Sequence, residues 1–97
     1  MNVTIQSVKF DAADKLKGFI EQKVNKLDVF FDRIIDAEVI LKLDKSETAE
    51  NKVAEIALKV PGSELFAKKQ TKTFEEAVDL CCEALRKQLI KKKEKVK

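Results

Sequence analysis

The chain has 97 residues, among them 20 Lys or Arg and 17 Asp or Glu, which give a formal charge of +3. This length is typical of one domain, and two domains would not fit. With 44% apolar and 38% charged residues, two Gly and one Pro, the composition favours a compact domain over a disordered or disulfide-built chain. The sequence has no basic leader followed by an apolar run and no long apolar stretch, so we expect a cytoplasmic protein without a membrane span.

Several side chains that commonly perform catalysis are missing. The chain has no His, which removes the commonest general base and a frequent zinc ligand. Its two cysteines, Cys81 and Cys82, are adjacent and form neither a Cys-x-x-Cys motif nor an easy disulfide, so we interpret them as core residues in a reducing compartment. Because a Gly-rich phosphate loop is absent too, we expect a protein that is not an enzyme and that uses no metal or cofactor.

The first two predicted elements are a strand and a helix. Val3 and Ile5 alternate with polar residues, which is typical of a strand buried on one side. A helix is predicted to start near Ala12, with Asp11 or a neighbour as its cap. Its apolar residues recur at steps of three and four and are expected to face a sheet: Ala13, Leu16, Ile20, Val24, Leu27 and Phe31.

Three further strands are predicted after the helix. The inward positions of the second strand are Ile35, Ala37, Val39, Leu41 and Leu43, and those of the third are Ala54, Ile56, Leu58 and Val60. These two strands are expected to form an antiparallel hairpin. Pro61 and Gly62 predict a tight turn into a short fourth strand with Leu65 and Ala67 facing inward.

A second helix completes the predicted fold. Thr73 and Glu76 match a capping box, after which the helix follows from Phe74 towards the end of the chain. Its apolar positions are Ala77, Val78, Cys81, Leu85, Leu89 and Val96. The order β-α-β-β-β-α predicts a single α+β domain over residues 1–97, with a four-stranded sheet, two helices packed on one face and a frayed end.

Positive charge is concentrated near the end of the chain. Residues 84–97 contain seven basic residues and only Glu94 as an acid, a balance of +6, so the rest of the chain carries −3. A helix dipole rewards cations only in the last turn, so this longer basic segment favours binding to a polyanion. In the first helix, Lys15 and Lys26 lie opposite the apolar side with Lys23 at its border, but a mixed solvated surface explains that arrangement equally well.

Two other surfaces leave alternatives open. Lys68, Lys69 and Lys72 extend the basic patch or simply belong to a polar edge strand. The predicted open sheet face lacks the stacking aromatics of a sheet that reads RNA bases, since Phe66 is its only aromatic residue. A free-standing binder of double-stranded RNA, or a protein-interaction adaptor that uses Ile40, Val53 and Phe66, therefore remains as an alternative function.

Several segments in this order resemble one known family. They are residues 23–27 (Lys-Val-Asn-Lys-Leu), 30–34 (Phe-Phe-Asp-Arg-Ile), 62–67, 77–79 (Ala-Val-Asp) and 85–89 (Leu-Arg-Lys-Gln-Leu). Over essentially its whole length the chain is similar to the short ribosome hibernation-promoting factors and the related ribosome-associated translation inhibitors. The resemblance implies a domain related in shape to double-stranded RNA-binding domains.

The resemblance also implies a partner and a mechanism. Such a domain docks on the small ribosomal subunit between head and body, contacts 16S rRNA at the decoding region, and excludes mRNA and tRNA from the A and P sites. Neither a membrane nor a small-molecule substrate is implied. Because the chain stops after the second helix, pairing of ribosomes is expected to need a separate modulation factor.

Charge pattern and resemblance together give nine candidate rRNA contacts. They are Lys15, Lys23, Lys26, Arg33, Arg86, Lys87, Lys91, Lys93 and Lys95. Lys87 stands where the relatives commonly have Arg, so it would meet a phosphate as a point charge rather than a planar fork.

Overall fold

The computed structural model describes residues 1–44 and 49–95, with the side chains of residues 94 and 95 left out. Its helices and strands follow one another in the order that the sequence predicts. They are strand β1 (Asn2–Ser7), helix α1 (Asp14–Asn25) with a 3-10 turn at Lys26–Val29, strands β2 (Asp36–Leu43), β3 (Lys52–Val60) and β4 (Ser63–Thr71), and helix α2 (Phe74–Lys95).

The four strands form one mixed sheet in the order β1-β2-β3-β4. β1 pairs in parallel with β2, because α1 carries the chain back to the starting edge before β2 begins. β2, β3 and β4 pair antiparallel through successive hairpins. The predicted β-α-β-β-β-α order and α+β class are confirmed.

Both helices cover the same face of the sheet. Val39 of β2 and Ile56 of β3 alternate with partly or fully exposed neighbours and are completely buried. They meet Ile20 of α1 and Leu85 of α2, which are also completely buried. Cys81 and Cys82 belong to this core and are free thiols, as predicted.

The start of α1 differs from the prediction. The helix begins at Asp14, and its N-cap is Ala13, which has extended backbone and no side-chain cap hydrogen bond. Asp11 therefore does not cap it. Because Ala13 stands before the first helical turn, its side chain is exposed, and the preceding Ala12 fills the buried position instead.

The strand ends also differ from the prediction. Ile35 and Leu43 were predicted to face inward but are 46% and 47% exposed, because they lie just before and at the end of β2, where helix cover is thin. β4 is nine residues long rather than short. It stays paired with β3 as far as Thr71, so backbone hydrogen bonds continue through the polar residues 68–70.

The predicted turn at Gly62 and one half of the predicted capping box before α2 are present. Gly62 has φ +75°, which a glycine adopts without steric strain. The backbone N–H of Glu76 donates to Thr73 Oγ1 at 3.1 Å, the first half of the predicted capping box. Val96 and the predicted frayed end lie outside the described residues. Among the described residues, no helix combines the length and apolar character needed to cross a bilayer.

Candidate nucleic-acid interface

The helices α1 and α2 lie side by side and run in the same direction. Near their starts, Lys15 and Phe19 of α1 border the same depression as Glu75 of α2. Further along, Phe30 follows α1 and lies beside Arg86 of α2. The carboxyl-terminal end of α1 therefore lies beside the first half of α2, and the last turns of α2 continue beyond it.

Charge is separated along this pair of helices. The first half of α2 carries acids, and its last turns carry cations. The acids are Glu75, Glu76, Asp79 and Glu83, and the cations with described side chains are Arg86, Lys87, Lys91, Lys92 and Lys93. At 1.5 Å per residue, the 22 residues of α2 extend over roughly 33 Å, so α2 has an acidic end and a basic end.

A groove between the helices contains three predicted cations, two of them already paired. Lys23 Nζ lies 3.0 Å from Asp79 Oδ1 and 5.8 Å from the centre of the Phe19 ring. Arg86 donates to the carboxylate of Glu83, and its guanidinium carbon lies 5.7 Å from the centre of the Phe30 ring. Lys26 lines the same groove.

The Arg86–Glu83 contact also shifts both ionisations. The hydrogen bond from Arg86 holds the pKa of the Glu83 carboxyl below its usual value, and the same bond raises the pKa of Arg86. Both groups therefore keep their charges at neutral pH. A phosphate that approaches Lys23 or Arg86 must compete with a protein carboxylate.

The basic end of the molecule is formed by two separate parts of the chain. Arg33, in the turn before β2, comes together with Lys92 and Lys93 of α2 around a cleft whose other walls include Phe31 and Pro61. We call Arg33, Lys92 and Lys93 the basic pole. Among the described side chains, none of these three makes an ion pair.

The remaining candidates do not all join this pole. Gln88 Nε2 donates to the backbone oxygen of Phe66 in β4 at 3.1 Å, so this side of α2 faces the sheet edge. Lys91 borders a depression with Gln88, and Lys87, one helical turn earlier, lies on the same side as Lys91. These two lysines thus form a second basic flank, turned away from α1.

Two candidates lie elsewhere. Lys15 stands at the acidic end beside Glu75, about 16 Å along α1 from Lys26 by the helical rise. Its position separates it from the other candidate contacts. The side chain of Lys95 lies outside the described residues.

Lys92 was missed by the sequence reasoning. It follows Leu85 by seven residues and Leu89 by three, so its spacing is that of the buried side of the helix. Lys92 is nevertheless partly exposed and lines the cleft with Pro61. The one sequence signal for it was its place among the seven basic residues of 84–97.

The metal-ligating side chains and the thiols of the described residues can be stated directly. No group of three Cys, Asp or Glu side chains among them is arranged to hold a metal ion. Burial raises the pKa of the Cys81 thiol to about 11 and that of Cys82 to about 12, so neither is a thiolate at neutral pH.

The open sheet face is a weak apolar surface. Phe66 is 51% exposed, as predicted, but Val53 is only 4% exposed and offers little surface to a partner. Lys42 Nζ lies 2.5 Å from a carboxylate oxygen of Glu55 in the middle of this face. Charged groups therefore interrupt the patch that an adaptor would need.

The same fold occurs in two solved structures. A ribosomal subunit interface protein from Coxiella burnetii superposes with a TM-score of 0.86 at 24% identity, covering 97% of this chain and 99% of that one. The N-terminal domain of Protein Y from Thermus thermophilus superposes with a TM-score of 0.81 at 23% identity, covering 94% and 98%. At these identities the likeness establishes the fold.

Sequence comparison establishes the family. The chain belongs to the family described as Sigma 54 modulation protein / S30EA ribosomal protein, whose model matches residues 3–97. It is 36% identical to a ribosome hibernation promoting factor from Azotobacter vinelandii, over 98% of this chain and 85% of that protein. A ribosome hibernation promotion factor from Bacillus subtilis is 30% identical over 99% of this chain and 50% of its own length. The predicted resemblance is confirmed.

Proposed function

We propose that this protein is a ribosome hibernation factor that binds the small ribosomal subunit at the decoding region. Bound there, it blocks mRNA and tRNA from the A and P sites and keeps the ribosome inactive. The relatives named ribosome hibernation promoting factors support this function. Inhibition by occupancy needs no reaction, which agrees with a chain that has no histidine and two protonated, buried thiols.

The observation that carries the proposal is the cluster of positive charge at the basic end, whose members form no ion pair among the described side chains. The basic pole and the flank with Lys87 and Lys91 together provide five cations from two elements, and none has an ion-pair partner among the described side chains. In the groove, Lys23 and Arg86 are already paired. We therefore assign the main 16S rRNA phosphate contacts to the basic end and a smaller contribution to Lys23, Lys26 and Arg86.

This assignment predicts a steep dependence of binding on salt. Each phosphate contact should contribute about −0.7 to −0.9 to the slope of log K against log salt, because it releases a condensed counterion. Binding to purified small subunits at rising salt gives the total slope. A flat curve would contradict binding through phosphates and favour the protein-interaction adaptor, while equally tight binding to a bare RNA duplex would favour the free-standing double-stranded RNA binder.

A double substitution tests the outer flank. Lys87→Gln with Lys91→Gln should weaken subunit binding and reduce the salt slope by about 1.4 to 1.8, two contacts' worth. Both side chains are exposed, so the melting temperature should barely change. Lys17→Gln with Lys59→Gln removes the same charge from exposed positions elsewhere and serves as the matched control.

If the two double variants bind equally well, only net charge matters and the flank is not a contact surface. Sucrose gradients with and without added protein and mRNA then report the inhibited state. Displacement of mRNA without a change in particle mass indicates inactive single ribosomes, and a heavier particle indicates that ribosomes are also paired.

A further inference from the structure

The basic pole surrounds a cleft that also has an apolar part, which the proposed phosphate contacts do not involve. The cleft measures about 300 Å³, the lower end of the range for small-molecule sites. Phe31 and Pro61 provide apolar walls, and Arg33, Lys92 and Lys93 provide three cations around them. Among the side chains that the structure describes, Asp32 is the only acid in the lining.

The chemistry of the lining is two-sided. Phe31 is partly buried, so its ring is held by the core while part of it is open to the cleft. An aromatic ring beside a proline suits a flat, polarisable group, and guanidinium and ammonium groups suit a phosphate. A nucleotide carries both groups, joined by a sugar.

The three cations are available to such a ligand. The dipole of α2 favours Lys92 and Lys93 at its carboxyl-terminal end, but it does not account for Arg33, which comes from the turn before β2. Cations converge on the cleft from both parts of the chain, and Asp32 is the one carboxylate that the described residues place in its lining. Repulsion among the three cations raises the free energy of the folded protein, and a bound phosphate would offset this repulsion.

We propose that this cleft binds one nucleotide, with its base against Phe31 and Pro61 and its phosphate on Arg33, Lys92 and Lys93. The Asp32 carboxylate accepts a hydrogen bond from a base amino group or a ribose hydroxyl. The ligand is either a free nucleotide or one unstacked nucleotide of an RNA strand. The inference rests on the proposed function in that Arg33, Lys92 and Lys93 also belong to the proposed rRNA surface.

The first experiment titrates the free, isotope-labelled protein and follows its backbone amide NMR signals. The probes are ATP, adenosine, inorganic triphosphate and a short oligoadenylate. We expect saturable shifts centred on residues 31–33, 61 and 92–93, with adenosine and triphosphate each binding at least about tenfold more weakly than ATP or the oligonucleotide. Response to ATP identifies the free nucleotide as a source, and response to the oligoadenylate alone identifies RNA.

Two variants test the two halves of the cleft. Phe31→Leu should weaken nucleotide binding about tenfold, the loss expected when a base loses an aromatic partner, whereas Phe66→Leu on the open sheet face should have no effect. Lys92→Gln should weaken nucleotide binding severalfold without disturbing the core. It therefore still tests the cleft if Phe31→Leu lowers stability. Lys59→Gln is its control.

The proposal is overturned if inorganic triphosphate binds as tightly as ATP and Phe31→Leu changes nothing, because the cleft is then only a cluster of cations. It is equally overturned if neither ATP nor oligoadenylate shifts these residues. Binding to small subunits, measured in parallel, separates this failure from failure of the proposed function. Nucleotide binding without subunit binding would refute only the ribosomal role, and the reverse would refute only the nucleotide site.

Discussion

The Lys23–Asp79 ion pair should weaken RNA binding, because a phosphate that contacts Lys23 must displace the Asp79 carboxylate. Asp79→Asn removes the carboxylate charge and keeps the shape of the side chain. Lys23 and Asp79 are 35% and 60% exposed, and exposed pairs of this kind contribute about 0.2–1 kcal/mol. The variant should therefore lose at most about 1 kcal/mol of stability. If Lys23 contacts a phosphate, RNA binding to the parent protein breaks the ion pair and loses its free energy, whereas binding to the Asp79→Asn variant does not. The affinity of the variant should therefore be up to about fivefold higher.

The assay is binding to purified small subunits over a range of salt concentrations. Lys23→Gln should weaken binding and reduce the salt slope by about 0.7 to 0.9, since one phosphate contact is lost. In the double variant Lys23→Gln with Asp79→Asn, most of the gain from Asp79→Asn should disappear. Glu76→Gln is the matched control, because it makes the same charge change one turn earlier on α2, where no described cation is paired with the carboxylate.

Two results would refute this reasoning. If Asp79→Asn weakens binding, the carboxylate positions Lys23 for its contact instead of competing with the phosphate. If Asp79→Asn and Glu76→Gln raise affinity equally, the gain comes from net charge alone, and Lys23 is not a contact. A stability loss well above about 1 kcal/mol would indicate that the ion pair holds the two helices together.

Local patterns were sufficient to predict the order of the elements. Alternation around Val39 and Ile56 requires strands buried on one side, and the spacing of Ile20 and Val24 requires a helix that faces them. The boundaries depend on tertiary contacts that these patterns do not encode. β4 continues to Thr71 because β3 is there to pair with it, although Lys68, Lys69 and Gln70 contribute no apolar signal.

The site was less predictable than the fold because charges were counted without their partners. The partner of Lys23 is Asp79, which comes close only because α1 packs against α2. The partner of Arg86 is Glu83 in the same helix, and their contact depends on the side-chain rotamers. Lys92 has the spacing of a core residue, yet it is partly exposed and lines the cleft with Pro61. Arg33 lies about 60 residues from Lys92 in sequence, so their cleft is a product of topology.

Two further predictions concern stability. Gly18→Ala should stabilise the protein by about 1 kcal/mol, because Gly18 is exposed in α1 with no atom within 4 Å of an added Cβ. Gly62→Ala should destabilise the protein by about 1 kcal/mol, because the φ of Gly62 is +75°. Urea unfolding measures both changes, and changes of the same sign would contradict the argument. The second prediction is alkaline destabilisation. Burial raises the pKa of Cys81 from 9.0 to about 11 and that of Cys82 to about 12. The folded chain therefore keeps two protons that the unfolded chain has already lost above pH 9.0. This contribution to stability is fully present below pH 9.0 and is lost as pH rises towards the folded values, by up to about 1.4 kcal/mol per pH unit for each thiol. Cys81→Ala with Cys82→Ala should be less stable at neutral pH, because the substitutions leave cavities. Above pH 9.0, however, its unfolding free energy should fall less steeply than that of the parent chain, because the two thiols are gone. Parallel curves for the two proteins would mean that the thiols ionise alike in the folded and unfolded states.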